Sequence, residues 1–240
     1  MHLHQTLAGA KQDPRDMGTR KLSILITTIP DRLGKHFPEM VAELQDQTTG
    51  REDVEILALM DNRVHTVGTK RNLLMGMATG EYITFVDDDD QISTDYVDSI
   101  LKAIGSNPGV DVIQYDLMLH HGGLERDILC TYDPRLVTAG YITEDVHIAK
   151  GSHTNVWRRK LTEGCPFPDQ DFGEDSAWAE KMADKVERFY KIEKVLYHYY
   201  FDPIGSATRS EFRSIENKLR KAVLDVSGDS GNHYQNNARR

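Results

Sequence analysis

Four consecutive carboxylates, Asp87 to Asp90, follow directly on the apolar run Tyr82-Ile83-Thr84-Phe85-Val86. The run reads as a buried strand, so the acids sit at its C-terminal end, the edge where open α/β sheets collect ligands. Packing that many like charges is unfavourable unless a cation neutralises them or water solvates them. Alternate side chains of extended backbone face opposite ways. Asp87 and Asp89 are therefore expected to converge on one point, with Asp88 turned away. Hard carboxylate oxygens in such a cluster suit Mg²⁺, Mn²⁺ or Ca²⁺. A solvated acidic loop after a strand is the competing reading. A second acidic pair, Glu174-Asp175, opens a later helical segment, and by itself it reads as a helix cap complementing the dipole.

The elements that must hold these acids alternate along the chain. Leu22 to Thr27 reads as a strand, and Leu33, Phe37, Met40, Val41 and Leu44 fall at helical spacing. Val54 to Met60 is a second strand, Gly68 to Ala78 a helix, and Tyr82 to Val86 a third strand. Tyr96, Val97, Ile100, Leu101 and Ile104 mark an amphipathic helix with Ser93 as its expected cap, and Val110 to Met118 a fourth strand. This alternation predicts an α/β fold with a mostly parallel central sheet flanked by helices. Further on, Leu124 to Tyr132 and short pieces within His147 to Trp157 read as strands. Trp178, Met182 and Val186 share one side of a helix starting near Glu174, Val195 to Phe201 is an aromatic strand, and Phe212, Ile215, Leu219 and Val223 mark a last helix. Residues 1–20 are expected to form a flexible arm, 21–225 one domain with halves at about 21–118 and 119–225, and 226–240 a flexible tail.

The chain has 240 residues, enough for one large α/β domain. Its net charge of −9 argues against strong non-specific binding to nucleic acid. No apolar run approaches a membrane helix, and the first residues lack a signal-peptide core. The two cysteines, Cys130 and Cys165, stand far apart, which fits a reduced, cytoplasmic setting and no zinc knuckle.

Three segments together resemble the inverting family 2 glycosyltransferases, of GT-A fold. They are Ser23 to Arg32; Val67 to Asn72 running through Ala78-Thr79-Gly80-Glu81-Tyr82-Ile83 into Asp87 to Asp90; and Phe172-Gly173-Glu174-Asp175 before a helix. The resemblance spans roughly residues 21–208. It implies a GT-A (Rossmann-like) single domain with a small antiparallel acceptor-side portion. The donor would be a nucleoside-diphosphate sugar, a UDP-sugar being favoured, used with Mn²⁺ or Mg²⁺. Thr27, Thr28 and Pro30 correspond to nucleoside contacts and Asp61 to a contact with the base. Lys70 and Arg71 would meet diphosphate or ribose, with Asp88 also beside the donor, and Asn72 would tie loops together or cap backbone groups. Asp87 and Asp89 match the family's Asp-x-Asp motif, with Asp90 an alternative metal ligand. The metal would stabilise charge developing on the leaving diphosphate.

In the same family the acid matching Asp175 is the catalytic base, and Glu174 helps it contact acceptor or loop. His153 is read as a satisfied structural histidine in preference to an acceptor or phosphate contact, and Trp157 as core. His198 either completes the metal shell or is buried by strand alternation. Arg209, after Ser206, would reach the diphosphate if the loop 202–206 closes. His120-His121 and His2-x-His4 read as surface residues. The acceptor is a hydroxyl of carbohydrate, protein, lipid or modified nucleic acid. A sugar-phosphate nucleotidylyltransferase competes poorly, because the Thr-Thr-Ile-Pro-Asp-Arg exit lacks a Gly-rich phosphate loop. A haloacid-dehalogenase-type phosphatase fails at Gln91. A catalytically inactive cation- or nucleotide-binding domain of the same fold is opposed by the intact acids.

Overall fold

A computed structural model describes residues 20–34, 36–121, 127–133 and 146–201. The expected terminal arm and tail, His2, His4, the loop 202–206, Arg209 and the expected last helix lie outside the described residues.

The first strand, β1 (Leu22–Thr28), shows how the sequence sets the layers. Leu22, Ile24 and Ile26 point into one apolar cluster, and Leu25 into another. Such alternation on a strand buried on both faces requires helices above and below it. A 3₁₀ turn (Pro30–Arg32) leads to α1 (His36–Thr48), followed by β2 (Val54–Met60), α2 (Val67–Met77) and β3 (Tyr82–Phe85). β4 (Gln91–Ile92), α3 (Tyr96–Ser106) and β5 (Val112–His121) come next. β6 (Ile128–Asp133), β7 (Val146–Lys150), β8 (Val156–Arg158), α4 (Arg159–Thr162), α5 (Glu174–Ala183) and β9 (Phe189–Phe201) complete the described chain. Met40 and Leu44 of α1 pack with Val97, Ile100 and Ile104 of α3 on one face of the sheet. Leu74 of α2 packs with Trp178 and Met182 of α5 on the other.

The nine strands form one curled sheet in the order β2-β1-β3-β8-β5-β6-β7, with β9 pairing both β5 and β4. β1 runs parallel to β2 and β3, as the alternation of elements predicts. The expected fourth strand, β5, keeps that direction but is separated from β3 by β8, which is antiparallel to both. The short Val-Trp-Arg strand carries no direction signal of its own. Its insertion brings the turn before it, residues 152–155, against the end of β3. There Phe85 N–H donates to His153 O at 3.3 Å, and the hydroxyls of Thr84 and Tyr115 donate to Thr154 O.

The expected cap Ser93 does not cap α3. Asp95 occupies the cap position, and the first free amide, Val97 N–H, donates to Gln47 Oε1 of α1 at 2.9 Å. A tertiary contact thus replaces the local cap. No helix among the described residues is long and apolar enough to cross a membrane.

Candidate active site

Beyond Phe85 the backbone stops being extended. Val86 N–H still bonds Leu25 O, but Asp90 N–H returns to Asp87 O at 3.3 Å, closing a turn. Strand alternation therefore does not govern the four aspartates, and Asp87 and Asp89 do not converge. Asp87 faces α2 and the 152–155 turn, with Oδ1 3.0 Å from Arg71 Nη2 and Oδ2 3.0 Å from His153 Nε2. Asp88 Oδ2 accepts from Thr28 Oγ1 at 2.7 Å, and Asp89 Oδ2 accepts from Arg32 Nη1 at 2.8 Å. Asp90 is only 1% exposed and accepts from Tyr197 O–H at 2.8 Å and Tyr200 N–H at 3.1 Å. Both of its oxygens are thus taken up by protein donors inside the fold.

These partners separate the acids electrostatically. Burial opposes ionisation of Asp87, but His153 and Arg71 outweigh it and hold the carboxyl at about 2. Burial raises Asp90 well above the usual range, and the charges of Asp87 and Asp89 add to that. Burial also raises Asp88.

Asp175 enters the same site from α5. Gly173 supplies the left-handed residue (φ 73°) before that helix, a conformation that disfavours side chains with a Cβ. Asp175 Oδ1 accepts from Ser176 N–H at 2.7 Å, so the carboxylate does serve the helix start. Its Oδ2 lies 3.5 Å from His153 Nδ1, and its side chain stays 40% exposed. Burial opposes ionisation here too, yet the bond to His153 and the charges of His153 and Arg71 hold Asp175 well below the usual carboxylate range. His153 itself is raised: burial and Arg71 push it down, and Asp87 and Asp175 outweigh them. Glu174 is buried and raised, 3.5 Å from Arg71 Nη2.

Lys70 and Arg71, expected to meet diphosphate or ribose, are both buried against protein carboxylates. Lys70 Nζ pairs with Asp61 Oδ1 at 3.2 Å and lies 3.4 Å from Thr28 O. Asp61 is held at about 2, first by the backbone N–H of His65 and then against desolvation by Lys70. The Arg71 guanidinium carbon stands 5.5 Å from the ring centroids of both Phe85 and Phe167. Thr28 is buried on Asp88, while Thr27 is half-buried and Pro30 exposed at the rim.

Asn72 ties loops together, as expected of it. Its amide donates to Phe167 O at 2.9 Å and accepts from Phe167 N–H at 2.8 Å. Thr66 and Thr69 both bond Asp169, and Gly68 N–H donates to Gln170 O at 3.1 Å. The start of α2 thus grips the segment that leads into Glu174-Asp175.

His198 is not brought to the acidic turn. On β9 its neighbour Tyr197 points there, so strand alternation sends His198 to the other face. Its Nδ1 is 3.0 Å from His120 Nε2, and the two rings stack with centroids 5.2 Å apart. His120 is half-buried between this partner and Asp127, not a free surface residue. Trp157 is core, as expected, against Trp178. Three residues at the site had no assigned part in the sequence reading: Arg32, Tyr197 and His153 as a bridge. Arg32 stands within the first family-like segment and Tyr197 within the aromatic strand, but neither spacing says where the side chain points.

Among the described residues no three acidic, histidine or cysteine side chains close around one metal point. A divalent ion with diphosphate oxygens in its shell needs only one or two carboxylates from the protein. Asp88 and the part-exposed Asp89 meet that requirement, and a guanidinium already stands against them as a stand-in cation. The donor set fits a hard divalent ion.

The family model for glycosyl transferase family 2 matches residues 34–144. No curated protein matches the chain by sequence. Among solved structures, S. aureus TarS 1-349 in complex with UDP-GlcNAc gives a TM-score of 0.56 at 17% identity, over 85% of this chain and 66% of that one. The mannosyltransferase PcManGT from Pyrobaculum calidifontis, in complex with GDP-Man and Mn²⁺, gives 0.51 at 15% identity, over 81% and 62%. The glucosyl-3-phosphoglycerate synthase from Mycobacterium tuberculosis, in complex with Mn²⁺, UDP-glucose and phosphoglyceric acid, gives 0.51 at 10%, over 87% and 80%. The chain spans 37% to 66% of the length of the TarS chains that it matches. At these identities the likeness is one of fold.

Proposed function

From the match of residues 34–144 to the glycosyl transferase family 2 model, we propose that this chain belongs to that family and moves a sugar from a nucleoside-diphosphate sugar, a UDP-sugar being favoured, to an acceptor hydroxyl with inversion. One observation carries the reading: carboxylates from two distant segments, Asp87 and Asp175, meet on the single imidazole of His153. The acidic turn and the Glu-Asp helix therefore belong to one site.

Asp175 is the base. Its carboxylate takes the proton of the acceptor hydroxyl, whose oxygen forms the new bond to the anomeric carbon. The bond from that carbon to the diphosphate oxygen breaks, and its electron pair leaves with the nucleoside diphosphate. A carboxyl held below its usual range is a weak base, so position supplies most of the benefit. The part-exposed side chain is open to an acceptor, whereas Glu174 is buried and holds Arg71. Thr27, Pro30 and Asp61 flank the nucleoside, while Lys70, Arg71 and Thr28 position the acids around it. A divalent ion held by Asp89 with Asp88 would supply charge neutralisation on the departing diphosphate. The Mn²⁺ and nucleotide-sugar complexes of the structural neighbours support this choice of donor and metal.

The test is Asp175→Asn assayed with UDP- and GDP-sugars against a panel of hydroxyl acceptors. Transfer should be abolished while nucleotide binding persists. Near-normal turnover would take the base role away from Asp175.

A further inference from the structure

The four acids of the turn are not equally provided for. Asp87 is served by Arg71 and His153, and Asp90 by Tyr197 and Tyr200. Asp88 and Asp89 share one cation, Arg32, with Nη1 2.8 Å from Asp89 Oδ2 and Nε 4.0 Å from Asp88 Oδ1. Among the described residues no other cation pairs with either. Thr28 holds the opposite oxygen of Asp88, so Oδ1 is the one turned toward Arg32. Arg32 ends the turn Pro30–Arg32, and its side chain remains 32% exposed, on a stem long enough to swing away.

We infer that Arg32 is a built-in counter-cation: it neutralises Asp88 and Asp89 in the free protein and yields them to an incoming divalent ion, so that it sets the metal affinity. This rests on the glycosyl-transfer reading for the place of the metal, and nothing in that reading requires it. Two like carboxylates side by side repel unless a cation stands between them. A part-exposed guanidinium meets that need reversibly, since solvent can take it up when it leaves. The competition lowers apparent metal affinity by the fraction of time the carboxylates are free.

The experiment is a Mn²⁺ titration without nucleotide, read from the paramagnetic resonance signal of free Mn²⁺, on wild type, Arg32→Gln and Arg32→Lys. If Arg32 holds the pair about nine-tenths of the time, R32Q binds Mn²⁺ about tenfold more tightly. R32K, which keeps the charge without the planar fork, falls between the two. An R32Q constant equal to or weaker than wild type overturns the inference. UDP binding in Mn²⁺, measured on the same proteins, separates the two failures. If wild type binds UDP with Mn²⁺ and R32Q leaves the metal constant unchanged, the counter-cation falls alone. If no variant takes up Mn²⁺ with or without UDP, the metal assignment falls with it.

Discussion

Asp175 and Asp87 are joined through one ring: His153 Nδ1 lies 3.5 Å from Asp175 Oδ2, and Nε2 lies 3.0 Å from Asp87 Oδ2. The ring is buried and its backbone carbonyl is fixed by Phe85 N–H. It therefore sets the spacing of the proposed base from the acidic turn. Removing it leaves Asp87, Asp175 and Glu174 around Arg71 alone. His153→Ala should lower kcat by about a hundredfold, the cost of a small misplacement of a reacting group, with little change in donor KM. Because His153 holds Asp175 down, the acid limb of the kcat/KM profile should move to higher pH. Steady-state kinetics across pH checks both. A rise in donor KM with kcat intact would place His153 in donor binding instead.

The same ring makes stability depend on pH. The folded protein raises His153, so that contribution is full below the unfolded value of about 6.5 and is lost as pH rises through the folded one. Asp87 and Asp175 are lowered, so theirs is present above about pH 4 and lost as pH falls through their folded values. The cluster stabilises most between about pH 4 and 6.5. Thermal midpoints of wild type should decline above that window, and His153→Gln should reduce the decline, the remainder being carried by the raised carboxyls of Asp90 and Glu174. A profile unchanged in H153Q would mean that the ring does not bind its proton more tightly in the folded state.

Two glycines of α2 should respond oppositely to alanine. A Cβ at Gly68 would lie 1.9 Å from Pro168 O, a backbone atom of the segment leading to Glu174-Asp175. A Cβ at Gly76 meets nothing within 4 Å. Gly68→Ala should cost about 1–3 kcal/mol as an overpacked contact and should reduce transfer, because the segment must shift. Gly76→Ala should stabilise by about 0.4–1 kcal/mol through the unfolded chain. Denaturant unfolding of the two variants measures both signs, and equal effects would refute a tight contact at Gly68.

The acids and the elements carrying them were legible because each sits at the end of a periodic segment. Apolar alternation up to Val86 located the strand, and helical spacing after Glu174 located α5. Side-chain directions beyond Val86 were not legible, because alternation holds only in extended backbone and the chain turns there. Alternation did survive on β9, and it explains why Tyr197, not His198, meets Asp90. The burial of Lys70 and Arg71 was hidden for another reason. Their partners, Asp61, Asp87 and Glu174, come from two separate loops and the start of α5, and a helical pattern records which residues share a face but not what covers it. Ser93 failed as a cap for the same reason, since Gln47 reaches α3 from another helix. β8 was detectable as a strand, but its place between β3 and β5 is a tertiary choice.

Asp90 provides a last test, of an acid that serves the fold and not the metal. Burial first, and then the charges of Asp87 and Asp89, raise it well above the usual range. A carboxyl so raised contributes fully below its unfolded value of about 3.9 and loses that contribution as pH rises toward the folded value. Asp90→Asn imitates the protonated group, keeping an acceptor for Tyr200 N–H and a polar partner for the Tyr197 hydroxyl. The variant should melt at or above the wild-type temperature at neutral pH, and the advantage should vanish below about pH 4. Asp90→Ala should lose about 1–3 kcal/mol, because the buried Tyr197 hydroxyl and the Tyr200 N–H both lose their acceptor. Mn²⁺ affinity of D90N should equal that of wild type, whereas Asp89→Asn should weaken it. If D90N binds Mn²⁺ as poorly as D89N, Asp90 is a ligand after all, and the turn must open for the metal to reach it.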